Sequence, residues 1–230
     1  MIMPRVLIGY SACNHTRQAF EDAGCEAWTC DLLPSRGGHE RHLQCDIWEV
    51  LGGSWDMAVL HPMCTYLTVS AAWAYSDPDY EKYPGVGYHQ RIKPDTLVGE
   101  ARRMAREEAL ENFRRLLALP YPVAIENPAT SFINKAIRPP DQIIHPHQFG
   151  DDASKATGLW LNGLPPLRLD PGKQVAPRYV NGKPRWANQT DSGQNRLPPS
   201  ETRWLERSAT YPGIAKAMGC QWGEYIRERN

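Results

Sequence analysis

Nowhere does this 230-residue chain approach the roughly 20 consecutive apolar residues that cross a bilayer, so no membrane-spanning helix is expected. The opening stretch from Met1 to Gly9 is too short for a signal peptide, which points to the cytoplasm. Net charge is missing too: 26 Lys and Arg balance 26 Asp and Glu. Without a global field, any contact with nucleic acid has to come from a local patch. The six cysteines, at 13, 25, 30, 45, 64 and 220, form no Cys-x-x-Cys pair and no framework of the small secreted kind, so reduced thiols are expected. His39, His42 and Cys45 lie close together, but their segment is Gly-rich and has no second ligand cluster. A polar loop is expected there rather than a zinc site. The chain also has no internal repeats.

What it does have is 41% hydrophobic residues, enough for one domain with at most a small appended lobe. Its 20 prolines and 18 glycines gather before position 95 and from Pro139 to Pro199, which predicts a compact scaffold with loop-rich additions.

The most informative segment runs from Trp55 to Thr65. An apolar stretch that ends in His61-Pro62 and then Cys64 reads as a buried strand delivering a thiol to the loop at its carboxyl end. In an open α/β sheet, ligands bind at that end. Sixty residues on, Tyr121 to Pro128 repeats the design with Glu126 and Asn127 at the strand exit. A nucleophile facing an acid is a catalytic pattern.

Upstream, Arg5 to Gly9 reads as a strand, Thr16 to Ala23 as a helix stopped by Gly24, and Glu26 to Asp31 as a second strand ending in a carboxylate. This is the mononucleotide-binding βαβ spacing, in which the acid takes ribose hydroxyls. With only Gly9 in the first turn, a phosphate cradle is not supported, and a ligand with a ribose but no pyrophosphate suits the unit better. Asp46 ends a third apolar stretch, where it either meets an adenine amino group or caps a short helix from Ile47 to Leu51.

Past Cys64, the polar, aromatic and Pro/Gly-rich insert from Tyr75 to Pro94 is a candidate lid or substrate-contacting loop. The clearest helix spans Asp95 to Leu119, with Asp95 as its cap and Leu97, Ala101, Met104, Ala105, Phe113, Leu116 and Leu117 on its apolar stripe. Its arginines read as a solvated, paired face. After Asn127 the chain is irregular until a strand at Ala156 to Leu161. From Gly163 to Ser200 there is little periodicity, and basic and amide side chains interleave with Tyr179 and Trp186, a composition that suits a nucleic-acid edge or a solvated loop. A helix from Tyr211 to Ile226 closes the chain.

A lone cysteine after a strand is usually inert. Here the strand end and the polar stretch beyond it provide backbone N–H groups and cations that lower a thiol's pKa. His61 is poorly placed to serve Cys64 as a protease-type base. Glu126 would be costly at a buried strand end without a partner, which a ligand amide or ring nitrogen would provide.

In that order, the βαβ unit ending at Asp31, the Asp46 stretch, Pro62-Met63-Cys64 and the Glu126-Asn127 strand resemble the cytosine-C5 DNA methyltransferases. More narrowly, the chain resembles small phage and prophage proteins of that kind. They share segments close to Cys30 to Ser35, His61 to Leu67, Ile125 to Pro128, Gln148 to Gly150, Lys155 to Leu161, Leu164 to Leu167 and Arg207 to Ala215. The resemblance covers nearly the whole chain. It implies a Rossmann-like S-adenosylmethionine-dependent methyltransferase fold with a mainly parallel sheet. Residues 1–162 would form the catalytic domain, 163–200 a short irregular recognition region, and 201–230 a helical segment packed back on the catalytic domain.

S-adenosylmethionine would lie over Gly9, Tyr10 and Ser11 toward His15, with Asp31 on the ribose, Leu32, Asp46 and Ile47 around the adenine, and His61 and Pro62 beside it. The resemblance further implies that Cys64 adds to C6 of a cytosine flipped from duplex DNA, while Glu126 holds the N3/N4 edge. Lys155 would replace the arginine the larger family sets against the pyrimidine, and Thr65, Asn127 and Gln148 would contact substrate. The chain departs from the family in three ways: the first turn has few glycines, Met63 stands where proline usually precedes the cysteine, and the recognition region is under forty residues. The last departure predicts relaxed sequence preference, a helping partner, or a nucleotide monomer as substrate. A non-methylating nucleotide- or DNA-binding protein descended from such enzymes is the competing expectation.

Overall fold

Alternation along the central strands decides the architecture. The computed structural model describes residues 3–77, 86–87, 90–91, 96–200 and 203–229. The first half contains β1 (Arg5–Gly9), α1 (Asn14–Asp22), β2 (Glu26–Cys30), β3 (His42–Leu43), β4 (Met57–Leu60), β5 (Val86–Gly87) and β6 (Gln90–Arg91). Then come α2 (Gly99–Leu117), β7 (Val123–Pro128), α3 (Ile133–Ala136), β8 (Gln142–Ile144) and β9 (Thr157–Asn162). A hairpin of β10 (Arg178–Val180) and β11 (Lys183–Arg185) precedes α4 (Arg203–Ser208) and α5 (Pro212–Arg227).

Val6 and Ile8 of β1 pack on one face with Met57 and Val59 of β4, while Leu7, Ala58 and Leu60 pack on the other. Strands buried on both faces need a helical layer on each. Phe20 of α1 and Met218, Trp222 and Ile226 of α5 cover the first face. Leu110, Phe113 and Leu116 of α2 cover the second. The two helices of the first layer approach closely at Gly219, where an added Cβ would sit 2.3 Å from the Ala19 carbonyl oxygen.

The sheet has seven strands in the order β3-β2-β1-β4-β7-β9-β8, parallel from β3 through β7, with β9 antiparallel to both its neighbours. It is a mixed α/β fold with a mostly parallel sheet, compatible with a Rossmann-like arrangement. The chain runs β1, β2, β3 in one direction and returns to place β4 on the other side of β1, so the strand order reverses between β1 and β4. That reversal leaves a crevice at the carboxyl ends of these two strands. Gly24 stops α1 as expected: it takes φ +82°, and its N–H reaches the Glu21 carbonyl.

Several expectations need correction. The long helix starts at Gly99, and Asp95 lies outside the described residues. Its buried stripe is Arg102, Leu110, Phe113 and Leu116, whereas Leu97 and Met104 are exposed. Arg102 is buried because its guanidinium lies over the rings of Tyr66 and Tyr75 and donates to the carbonyls of Thr65 and Leu97. Arg106 and Arg115 likewise cover Phe132 and Trp48, so part of the arginine face packs on aromatic rings rather than lying solvated. The stretch after Asn127 contains α3 and β8. The supposedly irregular region contains the β10–β11 hairpin, whose turn residues Asn181 and Gly182 take φ +49° and +73°. Two central residues at positive φ make the type I′ turn that matches strand twist. Most of the Tyr75 to Pro94 insert lies outside the described residues. Among the described residues no helix is long and apolar enough to cross a membrane, and no group of side chains could hold a metal ion.

Candidate active site at the strand ends

Parallel pairing sets Leu60 of β4 against Ile125 of β7, so the next residues, His61 and Glu126, face each other across the two strand exits. His61 Nδ1 lies 2.6 Å from Glu126 Oε2. The Lys155 ammonium approaches the other oxygen, Oε1, at 3.4 Å. Lys155 arrives from the opposite direction: because β9 is antiparallel to β7, the residues preceding it lie where β7 ends. The carboxylate is nearly buried, with a side-chain exposure of 10%. Burial pushes its pKa up, but Lys155 and then His61 outweigh this and hold it down at about 2. The partners expected from a ligand are thus supplied by the chain itself.

Cys64 sits on a loop fixed from several sides. Its carbonyl accepts the N–H groups of Leu67 and Thr68, both at 2.9 Å. Asn127, fully enclosed beside Glu126, donates its amide N–H to the Pro62 carbonyl at 2.9 Å. The Phe132 N–H reaches Leu67 at 2.8 Å, and Arg102 holds the Thr65 carbonyl at 3.0 Å. Burial pushes the Cys64 thiol above its ordinary 9.0, with the Glu126 charge adding to the rise and Lys155, the backbone N–H and Arg207 opposing it. The resting thiol is therefore protonated at neutral pH, which reverses the expectation of a lowered pKa. Desolvation outweighs the one nearby lysine.

The crevice beside this cluster contains the remaining expected residues. The His61 N–H donates to the Gly9 carbonyl at 3.1 Å, which joins the cluster to the β1 turn. A Cβ on Gly9 would lie 2.6 Å from both Ile47 Cδ1 and Leu60 Cδ2, so a side chain there would push these two side-chain ends aside. Tyr10 follows at φ +57°, a left-handed conformation that favours glycine. Its hydroxyl accepts the Asn112 amide N–H at 3.2 Å, an anchor that glycine would lack. The Ser11 N–H pairs with the Cys30 carbonyl. Asp31 ends β2 half-buried, with Oδ1 accepting the Leu33 N–H, and Leu32 beside it is 70% exposed. A carboxylate at a strand end next to apolar side chains at the reversal point suits a nucleoside, the carboxylate meeting hydroxyls and the apolar groups the base.

Asp46 caps the 3-10 turn Ile47–Glu49 through the Trp48 N–H at 2.8 Å, the alternative weighed for it from sequence. Asn127 fixes the Cys64 loop from a buried position, and Gln148 accepts the His145 N–H at 2.7 Å in a turn packed against α5. Each bond uses one polar atom of its amide, and Asn127 Oδ1 is buried without a partner. Thr65 is exposed on the rim of the Cys64 loop. His61 was expected at the cofactor and is instead paired with Glu126, with its Nε2 buried and unpartnered. Arg207 acts on Cys64 from α4 and was not expected as a site residue. Neither a scan of protein-family models nor a search of curated proteins gives a match to this chain.

Proposed function

We propose that this protein transfers a methyl group from S-adenosylmethionine to C5 of cytosine in DNA, with Cys64 as the nucleophile. The observation that supports this most is the convergence of a thiol, a buried carboxylate and a lysine at the carboxyl ends of β4 and β7, beside the crevice where the strand order reverses. When bound, S-adenosylmethionine supplies an electrophilic methyl group. Asp31 would accept hydrogen bonds from its ribose hydroxyls, and the exposed Leu32 would provide apolar surface for the base. The Cys64 thiol must lose its proton to solvent before it adds, and the Lys155 charge stabilises the resulting thiolate. Sγ then bonds to C6 and the C5–C6 electron pair shifts to C5, making it nucleophilic. Glu126, held by His61 and Lys155, would accept from the exocyclic amine of the N3/N4 edge, and the Lys155 charge beside it would offset negative charge developing on the ring. After transfer, the C5 proton passes to solvent, its bonding pair re-forms C5=C6, and Sγ departs with the C6–S pair as thiolate.

A second reading, a nucleotide- or DNA-binding protein that does not methylate, is favoured by the raised Cys64 pKa and by a Glu126 already satisfied within the chain. The test is incubation with labelled S-adenosylmethionine and either duplex DNA or dCMP, followed by mass spectrometry of the nucleosides. Label in 5-methylcytosine from DNA that vanishes in Cys64→Ser supports the enzyme. Label on dCMP alone moves the substrate to a monomer. Cofactor binding without transfer to either refutes the enzyme and supports the binding protein.

A further inference from the structure

We infer that the β10–β11 hairpin contacts nucleic acid, with Tyr179 stacking on unpaired bases. The choice of nucleic acid as partner rests in part on the function proposed above. Charge supports it independently: residues 163–200 carry six Lys and Arg against two Asp, although the whole chain is balanced. This is the local patch that a neutral protein needs to meet a polyanion.

The two faces of the hairpin differ. Register sets Tyr179 opposite Pro184 on one face and Arg178 opposite Arg185 on the other. The arginine face is tied to the chain's own loop. Arg178 donates to Asp191 at 2.6 Å and to the Gln189 carbonyl at 2.7 Å, and Arg185 donates to the Asp191 carbonyl at 3.1 Å. The opposite face is left to solvent, and Tyr179 is 71% exposed there. A single exposed aromatic residue needs no explanation. One set on a hairpin whose opposite face is tied to the chain's own loop, beside an exposed proline in the most basic part of the chain, is built as a stacking platform.

Its location agrees. Just past β11, Trp186 stacks on His147 with ring centroids 4.1 Å apart. Asn188 exchanges two hydrogen bonds with the Ser154 backbone, at 2.9 and 3.0 Å, and Ser154 directly precedes Lys155. The foot of the hairpin is thus fixed beside the lysine that pairs with Glu126. Stacking is tolerant of sequence, in keeping with a region too short for extensive base readout.

The test is fluorescence anisotropy of a labelled single-stranded oligonucleotide of about a dozen nucleotides, without S-adenosylmethionine, across a salt series. Tyr179→Ala is expected to weaken binding on the order of tenfold, and Tyr179→Phe to stay within about twofold of the native protein. Binding by the native protein should weaken as the salt concentration rises. The inference is overturned if Tyr179→Ala binds as tightly as the native chain, if Phe loses as much as Ala, or if the native protein binds no oligonucleotide. Because the readout is binding alone, a failure of methyl transfer leaves this result standing.

Discussion

Replacing Lys155 with methionine keeps most of the aliphatic stem and removes the cation that most strongly holds down the Glu126 pKa. A shift from the ordinary 4.5 to about 2 corresponds to about 3 kcal/mol of folding free energy at roughly 1.4 kcal/mol per pH unit. Lys155 is about one-third exposed, so solvent screens its share, and His61 remains on the other oxygen. The expected loss in Lys155→Met at pH 7 is therefore about 1–2 kcal/mol. A carboxylate with a depressed pKa stabilises the fold above its unfolded pKa, and that stability is lost as the pH falls through the folded value. The gap between native and variant should accordingly narrow as the pH falls from about 4.5 toward 2, where Glu126 becomes protonated in both. Urea denaturation at several pH values measures it. A gap that persists unchanged in acid would assign the loss to packing and refute the electrostatic account.

Alkylation of Cys64 by iodoacetamide, followed by peptide mass spectrometry, should be slow at neutral pH and accelerate only above pH 9, later still in Lys155→Met and earlier in Glu126→Gln; rapid labelling at pH 7 would contradict a raised thiol pKa. Gly219→Ala should lower stability by about 1–3 kcal/mol or more by forcing α5 from α1, and an unchanged melting midpoint would mean the helices do not meet there. Asp31→Ala should weaken S-adenosylmethionine binding by about tenfold or more, since a ribose hydrogen-bond acceptor is lost, while stability changes by less than about 1 kcal/mol. Calorimetric titration showing an unaltered dissociation constant would place the cofactor elsewhere.

The central strands were legible because β1, β4 and β7 are buried on both faces and so appear as continuous apolar runs. Gly24 was legible because a positive φ after a helix favours glycine. The packed face of α2 was not, since Arg102 is buried by rings from Tyr66 and Tyr75 on another segment, and no helical periodicity encodes such a partner. The hairpin was missed because its strands are short and polar, although Asn181-Gly182 was a usable turn signal. Cys64, Glu126 and Lys155 were each singled out from sequence. The pairing of His61 with Glu126 was not, because it follows from β4 and β7 being neighbours in register.

The reversed direction of β9 also bears on where this protein can change length. Lys155 meets Glu126 because the β7–β9 ladder fixes how far each strand extends, with Pro128 opposite Thr157. Residues added in the loops of the connection from 129 to 154, outside β8, could be absorbed without shifting the β7–β9 register and leave that meeting intact. A residue added between Lys155 and Thr157 would carry the ammonium past the carboxylate, since each strand residue advances about 3.3 Å. Length variation among natural or engineered forms should therefore collect upstream of Ser154 and stop abruptly at Lys155.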